Sequence, residues 1–187
     1  MMQILTILSS RNREGRTARS AASLAEGAAA AGASVDDIFL TELKIERCRQ
    51  CDAGGWGTCR SEGKCVIDDD FASVADRMRG ADALVFANPV YFGDLSESMR
   101  AFLDRLRRCC RHEHGKAGIE TKPAVGICMA GGGGGGAPSC CLSMEKVLSQ
   151  CGMSVVDLIP VRRQNLPVKL ELLRHEGQAL AQGRLQG

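Results

Sequence analysis

Three glycine- or hydroxyl-bearing loops and one cysteine cluster carry the residues of this chain that could do chemistry. The first loop follows an apolar run, Ala83-Leu84-Val85-Phe86-Ala87, and reads Asn88-Pro89-Val90-Tyr91-Phe92-Gly93. Pro89 fixes one backbone angle, Gly93 permits close approach, and Tyr91 and Phe92 offer flat apolar surface suited to a planar ligand. The plainer alternative is a turn with two core aromatics. The second loop, Ser9-Ser10-Arg11-Asn12-Arg13-Glu14-Gly15-Arg16-Thr17, runs into a helix N-terminus, where unpaired N–H groups carry partial positive charge. The hydroxyls of Ser9, Ser10 and Thr17 and the guanidinium of Arg11 add donors for a phosphate. An ordinary capped helix start is the competing reading.

That loop is neither a Walker loop, since it lacks the Gly-Lys-Ser/Thr ending, nor a dinucleotide fingerprint, since it lacks three spaced glycines. What remains fits the phosphate of a flavin mononucleotide, FMN. The third loop is the six-glycine run Gly131–Gly136 after Ala130. Six contiguous glycines match any glycine motif trivially, but a backbone without side chains can pass against a ring system or a phosphate. A mobile loop with no ligand is the other reading.

The cysteine cluster is Cys48-x2-Cys51-x7-Cys59-x5-Cys65. Four thiols in a glycine-rich loop could ligate an iron–sulfur cluster. Zinc would want two tight C-x2-C knuckles, and only the first pair has that form. Partly buried free thiols stiffening the loop are the third possibility. Two further segments are weaker. Cys109-Cys110-Arg111-His112-Glu113-His114 is metal-like in composition but lacks ligand spacing. Cys140-Cys141 falls near a helix start, where a thiol pKa could drop, although a core-facing pair is the simpler reading.

These loops need a scaffold, and the pattern of elements supplies it. Strands are expected at Gln3–Leu8, Ser34–Leu40, Ala83–Ala87, Ala124–Met129 and Ser154–Ile159. Helices are expected from Thr17 to Gly32, from Phe71 behind the possible caps Asp68, Asp69 and Asp70, and from about Ser96. Two more lie around Ser139–Cys151 and after Pro167. Met99, Phe102, Leu103 and Leu106 form the apolar stripe of the helix after Ser96. Arg100, Arg105, Arg107, Arg108 and Arg111 form a basic stripe opposite it, read as a solvated face that the extra phosphate of a nicotinamide cofactor could use. Strand and helix alternate five times, which means a doubly wound α/β fold with a parallel sheet and helices on both faces. Residues 1–160 form this domain and 161–187 a helical tail, whose leucines suggest packing on the domain or on a partner subunit.

Composition excludes some partners. A formal net charge of +2 over 187 residues provides no broad basic field for nucleic acid or an anionic membrane. The apolar run Ile4–Leu8 is too short for a signal-peptide core, and no segment approaches membrane-spanning length. Ten cysteines without an export signal point to the reducing cytoplasm.

Taken together, the Ser9–Thr17 loop, the block Cys59-Arg60-Ser61-Glu62-Gly63-Lys64-Cys65-Val66-Ile67-Asp68-Asp69-Asp70-Phe71, and the segment from Pro89 through Ser96 to Arg105 resemble the NAD(P)H-dependent FMN reductase and iron–sulfur flavoprotein family of flavodoxin-like proteins. The resemblance covers most of the chain up to about Asp157. It implies a five-stranded parallel sheet of order 2-1-3-4-5 that binds FMN. Ser9, Arg11 and Thr17, in a loop with Ser10 and Gly15, would hold the phosphate. Pro89, Val90, Tyr91, Phe92 and Gly93 would line the isoalloxazine and ribityl chain, and Ala130, Gly131, Gly132 and Gly133 would close the other side of the ring. Cys48, Cys51, Cys59 and Cys65 would hold a [4Fe-4S] cluster. Members are commonly homodimers or homotetramers, with the helix containing Phe102 and Asp104 near the interface.

The chain departs from the family's pattern in places. Seven residues separate Cys51 from Cys59 where iron–sulfur members usually keep two; Ser10 stands where proline is frequent; and one residue is inserted before Gly15. The implied activity is an oxidoreductase in which FMN takes hydride from NAD(P)H and passes electrons to a quinone, a flavin or an iron–sulfur acceptor. An electron carrier without its own NAD(P)H-oxidising activity and a cysteine-based sensor are the alternatives.

Overall fold

A computed structural model describes residues 1–110, 112–113 and 115–185. The metal-like segment and the arginine stripe thus extend, at His114 and Arg111, onto residues outside the described ones, as does the end of the tail. The elements run β1 (Gln3–Leu8), α1 (Arg16–Ala30), β2 (Ser34–Phe39), a short α2 (Thr58–Ser61), α3 (Phe71–Gly80), β3 (Ala83–Pro89), α4 (Glu97–Cys109), β4 (Pro123–Ala130), α5 (Ala137–Gln150), β5 (Ser154–Arg162) and α6 (Leu166–Ala181). All strand pairs are parallel, in the order β2-β1-β3-β4-β5. This is the expected doubly wound architecture. β3 and β5 extend beyond the strands read from sequence, to Pro89 and Arg162.

The sheet's two faces feed two separate cores because side chains alternate along a strand. Leu84 and Phe86 of β3 join Met78, Met99, Phe102 and Met144 under α3, α4 and α5. Ala83, Val85 and Ala87 point the other way, toward Leu24 of α1 and Leu173 and Leu180 of α6. Every residue of β3 is buried, as a central strand covered on both sides requires. At β2, the edge strand, the pattern turns largely exposed.

The C-terminal helix is a full member of the second layer. A Cβ on Gly27 would lie 1.9 Å from the Arg174 carbonyl oxygen, and one on Gly177 would lie 1.9 Å from that of Leu24. The backbones of α1 and α6 thus touch at two glycines, a closeness that side chains would forbid. No helix among the described residues is long and apolar enough to cross a membrane.

Candidate functional site

The carboxyl ends of β1, β3 and β4 meet around one buried side chain, Asn88. Its Oδ1 accepts hydrogen bonds from Ser9 Oγ at 2.9 Å, Ser96 Oγ at 2.9 Å and Ser96 N at 3.0 Å. Its Nδ2 donates to the Pro89 carbonyl at 2.7 Å and to Cys140 Sγ at 3.3 Å. One amide therefore ties the end of β1, the loop after β3, the N-cap of α4 and the first turn of α5. Sequence reading gave Asn88 no role. Its only signal was its place directly after an apolar strand, where a polar side chain must find partners once the strand end is buried.

The loop before α1 leaves that helix open to an anion. Gly15 is the N-cap and supplies no side-chain cap, and no acidic residue stands in the first turn. Ser9, Ser10 and Thr17 are buried beside it. Asn12 folds the loop back, its Oδ1 accepting from Glu14 N at 2.9 Å and its carbonyl from Gly15 N at 3.1 Å. Arg11 is exposed at the rim. Arg13 is engaged elsewhere, bonded to Glu42 and lying 4.2 Å over the Phe39 ring.

After β3 the chain reverses in a tight turn. Tyr91 and Asp94 exchange backbone hydrogen bonds of 3.0 and 3.1 Å, with φ of +51° at Phe92 and +80° at Gly93. Both central residues are left-handed, as a type I′ turn requires. That conformation is natural for Gly93 and strained for Phe92. Phe92 is nevertheless fully exposed and Tyr91 about half exposed, so the two aromatics are not core residues. A strained aromatic held in solvent is a feature that packing does not account for.

The glycine run has two halves. At Gly131, Gly132 and Gly133 an added Cβ would meet nothing within 4 Å, so this backbone faces open space. The second half is clamped. Gly134 and Gly136 both have φ of +79°, Gln164 Nε2 bonds the Gly133 carbonyl at 3.1 Å, and a Cβ on Gly136 would come within 2.4 Å of Gly93 Cα. The backbone contact between Gly136 and Gly93 brings the loops after β3 and β4 together. Ala130 is buried at the strand end, and Val90 N bonds the Met129 carbonyl at 2.9 Å. The expected site residues are therefore gathered at one end of the sheet, where doubly wound folds bind ligands. An uncapped helix start, a projecting aromatic pair and a backbone wall free of Cβ atoms are what these three loops present there.

The cysteine loop is strapped to the body rather than hanging free. Arg105, read from sequence as part of a solvated stripe, is instead buried on the core side of α4. Its Nη1 and Nη2 bond Asp69 Oδ2 and Oδ1 at 2.6 and 2.9 Å, Nη1 also bonds the Glu46 carbonyl, and the guanidinium lies 4.3 Å over the Phe71 ring. The other described members of the stripe are committed too. Arg100 pairs with Asp94 and Arg107 with Asp104, while Arg108 bonds the Gly55 carbonyl and lies over Trp56. Of the aspartates before α3, Asp70 is the N-cap but makes no side-chain cap, its Oδ2 accepting from Lys44 N, whereas Asp69 Oδ1 accepts from Phe71 N at 3.2 Å while also serving Arg105.

Burial pushes the Asp69 carboxyl up, but the hydrogen bonds from Arg105, Glu46 N and Phe71 N outweigh it, so its pKa lies below the ordinary carboxylate value. Cys48, Cys51, Cys59 and Cys65 line one small pocket together with Cys109 and Arg105. The donor chemistry suits an iron–sulfur cluster, yet among the described residues no three His, Cys, Asp or Glu side chains are arranged as a metal ligand set.

The remaining thiols are structural in setting. Cys109 is pushed up to about 12 by burial and by neighbouring thiols. Cys140 and Cys141 face the core. The hydrogen bond with Cys128, rather than the helix end, pulls Cys141 below the ordinary thiol value.

Residues 2–161 match the family described as NADPH-dependent FMN reductase. Among characterised relatives, the chain is 36% identical over 80 residues to an iron–sulfur flavoprotein of Methanosarcina thermophila, covering 41% of this chain and 39% of that protein. It is 30% identical over 106 residues to an iron–sulfur flavoprotein of Methanocaldococcus jannaschii, covering 57% and 52%. The matched segments thus span about half or less of those relatives. Among solved structures, an NAD(P)H:quinone oxidoreductase from Methanothermobacter marburgensis superposes with a TM-score of 0.68 at 18% identity over 96% of both chains, a likeness of fold. With the family match running from β1 into β5, the chain belongs to the NADPH-dependent FMN reductase family, whose cofactor is FMN.

Proposed function

We propose that this protein is an FMN-dependent oxidoreductase that takes hydride from NAD(P)H and passes the electrons to a quinone, a flavin or an iron–sulfur acceptor. The observation that carries this reading is the convergence, around Asn88 and the Gly93–Gly136 contact, of three loops with complementary chemistry. In this reading Ser9, Ser10, Arg11, Gly15 and Thr17 form the phosphate loop: the unpaired N–H groups of the first turn of α1, the Thr17 hydroxyl and Arg11 donate to the phosphate, while the Ser9 hydroxyl, whose proton goes to Asn88, holds the loop in place. Pro89, Val90, Tyr91, Phe92 and Gly93 line one side of the ring. Ala130, Gly131, Gly132 and Gly133 approach the other side, the three glycines with backbone alone. FMN, when bound, supplies the hydride and electron chemistry. The chain supplies position, and these residues include no acid–base pair. Anaerobic titration of the FMN-loaded protein with NADPH and with NADH tests the activity. Bleaching of the flavin by at least one donor is expected, and no bleaching by either would overturn the reductase.

A second reading, an electron carrier with a [4Fe-4S] cluster, is favoured by the four cysteines lining one pocket. Iron content measured in Cys48→Ala, Cys51→Ala, Cys59→Ala and Cys65→Ala decides it. Iron equal to the parent in all four would exclude ligation by this loop.

A further inference from the structure

A cavity of about 360 Å³ lies between α3 and α4, away from the strand ends. None of the loops after β1, β3 or β4 contributes to it. Its origin is legible in the sequence of α3. Ala72, Ala75, Asp76 and Arg79 recur at helical spacing on one face. Two alanines there leave empty the volume that larger side chains would fill against Leu106 of α4 and Ile119. The floor is apolar, made by Ala75, Leu106, Ile119 and Phe71, with Ala72 exposed at the rim.

The mouth is cationic. Lys64 and Lys116 border it, both exposed and without a salt bridge among the described residues, while Arg79 is paired with Asp76. Glu62 is the remaining acid, so two ammonium groups face one carboxylate. His112 lines one side. Its ring packs on Gly63, whose φ is +69° and whose added Cβ would lie 2.6 Å from the imidazole. Its Nδ1 is buried and, among the described residues, has no hydrogen-bond partner. A buried polar atom beside a cavity normally has a partner.

Volume, apolar floor and cationic rim define a ligand class. The size is that of small-molecule pockets. We propose that this cavity is a second binding site, separate from the flavin site, for a small organic anion with a ring-shaped apolar body bearing a carboxylate or sulfonate. The ring enters between Ala72, Ala75 and Leu106, and the anionic group stays at the rim with Lys64, Lys116 and His112. The wall that holds Cys65 and Cys109 is shared with the cysteine pocket, which places such a ligand next to the cysteine loop.

Calorimetric titration with naphthalene-2-sulfonate, in the presence of saturating FMN, tests the proposal. One equivalent is expected to bind, with a dissociation constant between about 10 μM and 1 mM. Ala72→Trp, a change at an exposed helix position that fills the cavity, should weaken binding at least about tenfold. Lys116→Ala and Lys64→Ala should each weaken it about two- to fivefold, with the effect shrinking in high salt. Should Ala72→Trp disturb the fold by circular dichroism, Ala72→Leu and Lys116→Glu provide the same readout. No binding up to about 10 mM with FMN present, or binding that the filling variants leave unchanged, would each overturn the assignment. A parallel titration without FMN separates the sites: binding seen only there would place the probe at the flavin site instead.

Discussion

Replacing Arg105 by Met removes the cation of a pair whose side chains are 1% and 0% exposed. Asp69 then keeps only the N–H groups of Glu46 and Phe71, at 2.8 and 3.2 Å. Met matches the aliphatic stem, so the loss is confined to the guanidinium, its ion pair with Asp69 and its contact with the Phe71 ring. Breaking a buried pair and stranding one charge costs roughly 3–5 kcal/mol. With a urea m-value of about 2 kcal/mol/M for a chain of this size, the unfolding midpoint should fall by about 1.5–2.5 M. The thermal midpoint should drop by roughly 6–20 °C.

Because the Asp69 pKa is lowered in the folded state, the pair's stabilisation is complete above the unfolded carboxylate value, near 4. It is lost as the pH falls through the lower folded value. The difference between Arg105→Met and the parent should therefore be constant between pH 5 and 8 and should shrink below about pH 4. The assay is urea unfolding followed by far-UV circular dichroism across that pH range. A midpoint shift below about 0.5 M at pH 7, or a difference that grows on acidification, would refute the argument that this buried pair straps the cysteine loop to the sheet.

Three other perturbations bear on the site and the fold. Phe92→Gly should stabilise the protein by about 1 kcal/mol, since it relieves a left-handed non-glycine residue whose ring packs on nothing; isothermal titration should show the same variant binding FMN more weakly. Gly136→Ala combines a strained φ with a Cβ 2.4 Å from Gly93 Cα, so it should cost upward of about 2 kcal/mol and reduce FMN affinity together with stability. Glu176 has its pKa raised, first by burial and then by Asp157; a raised carboxyl costs stability once the pH passes its unfolded value. Glu176→Gln should accordingly raise the thermal midpoint at pH 7 and lose that advantage near pH 4, as calorimetry at the two pH values would check.

The five strands could be read in advance, the central ones β1, β3 and β4 most readily because parallel strands covered on both faces are largely apolar, whereas the order 2-1-3-4-5 came only with the family resemblance. Their loops were also legible, since glycine, proline and hydroxyl residues at a strand end have few other uses. What could not be read is pairing across distance. Arg105 fits the helical spacing of a solvated stripe, and only the fold brings Asp69, 36 residues earlier, under it. Asn88 seemed a loop residue until four segments converged on its amide. Gly27 and Gly177 look like weak points in two helices, because nothing local reveals that the helices touch there. The cavity beside α3 is the same kind of case, visible as two alanines in sequence and as empty volume only once α4 lies opposite.

The most direct test of the account is a fluorescence titration of flavin-free protein with FMN. One equivalent per chain should bind at micromolar concentration or tighter, and Gly136→Ala should weaken it at least tenfold. FMN that stays free at ten times the protein concentration, or binding that Gly136→Ala leaves unchanged, would contradict the claim that the loops after β1, β3 and β4 form the flavin site.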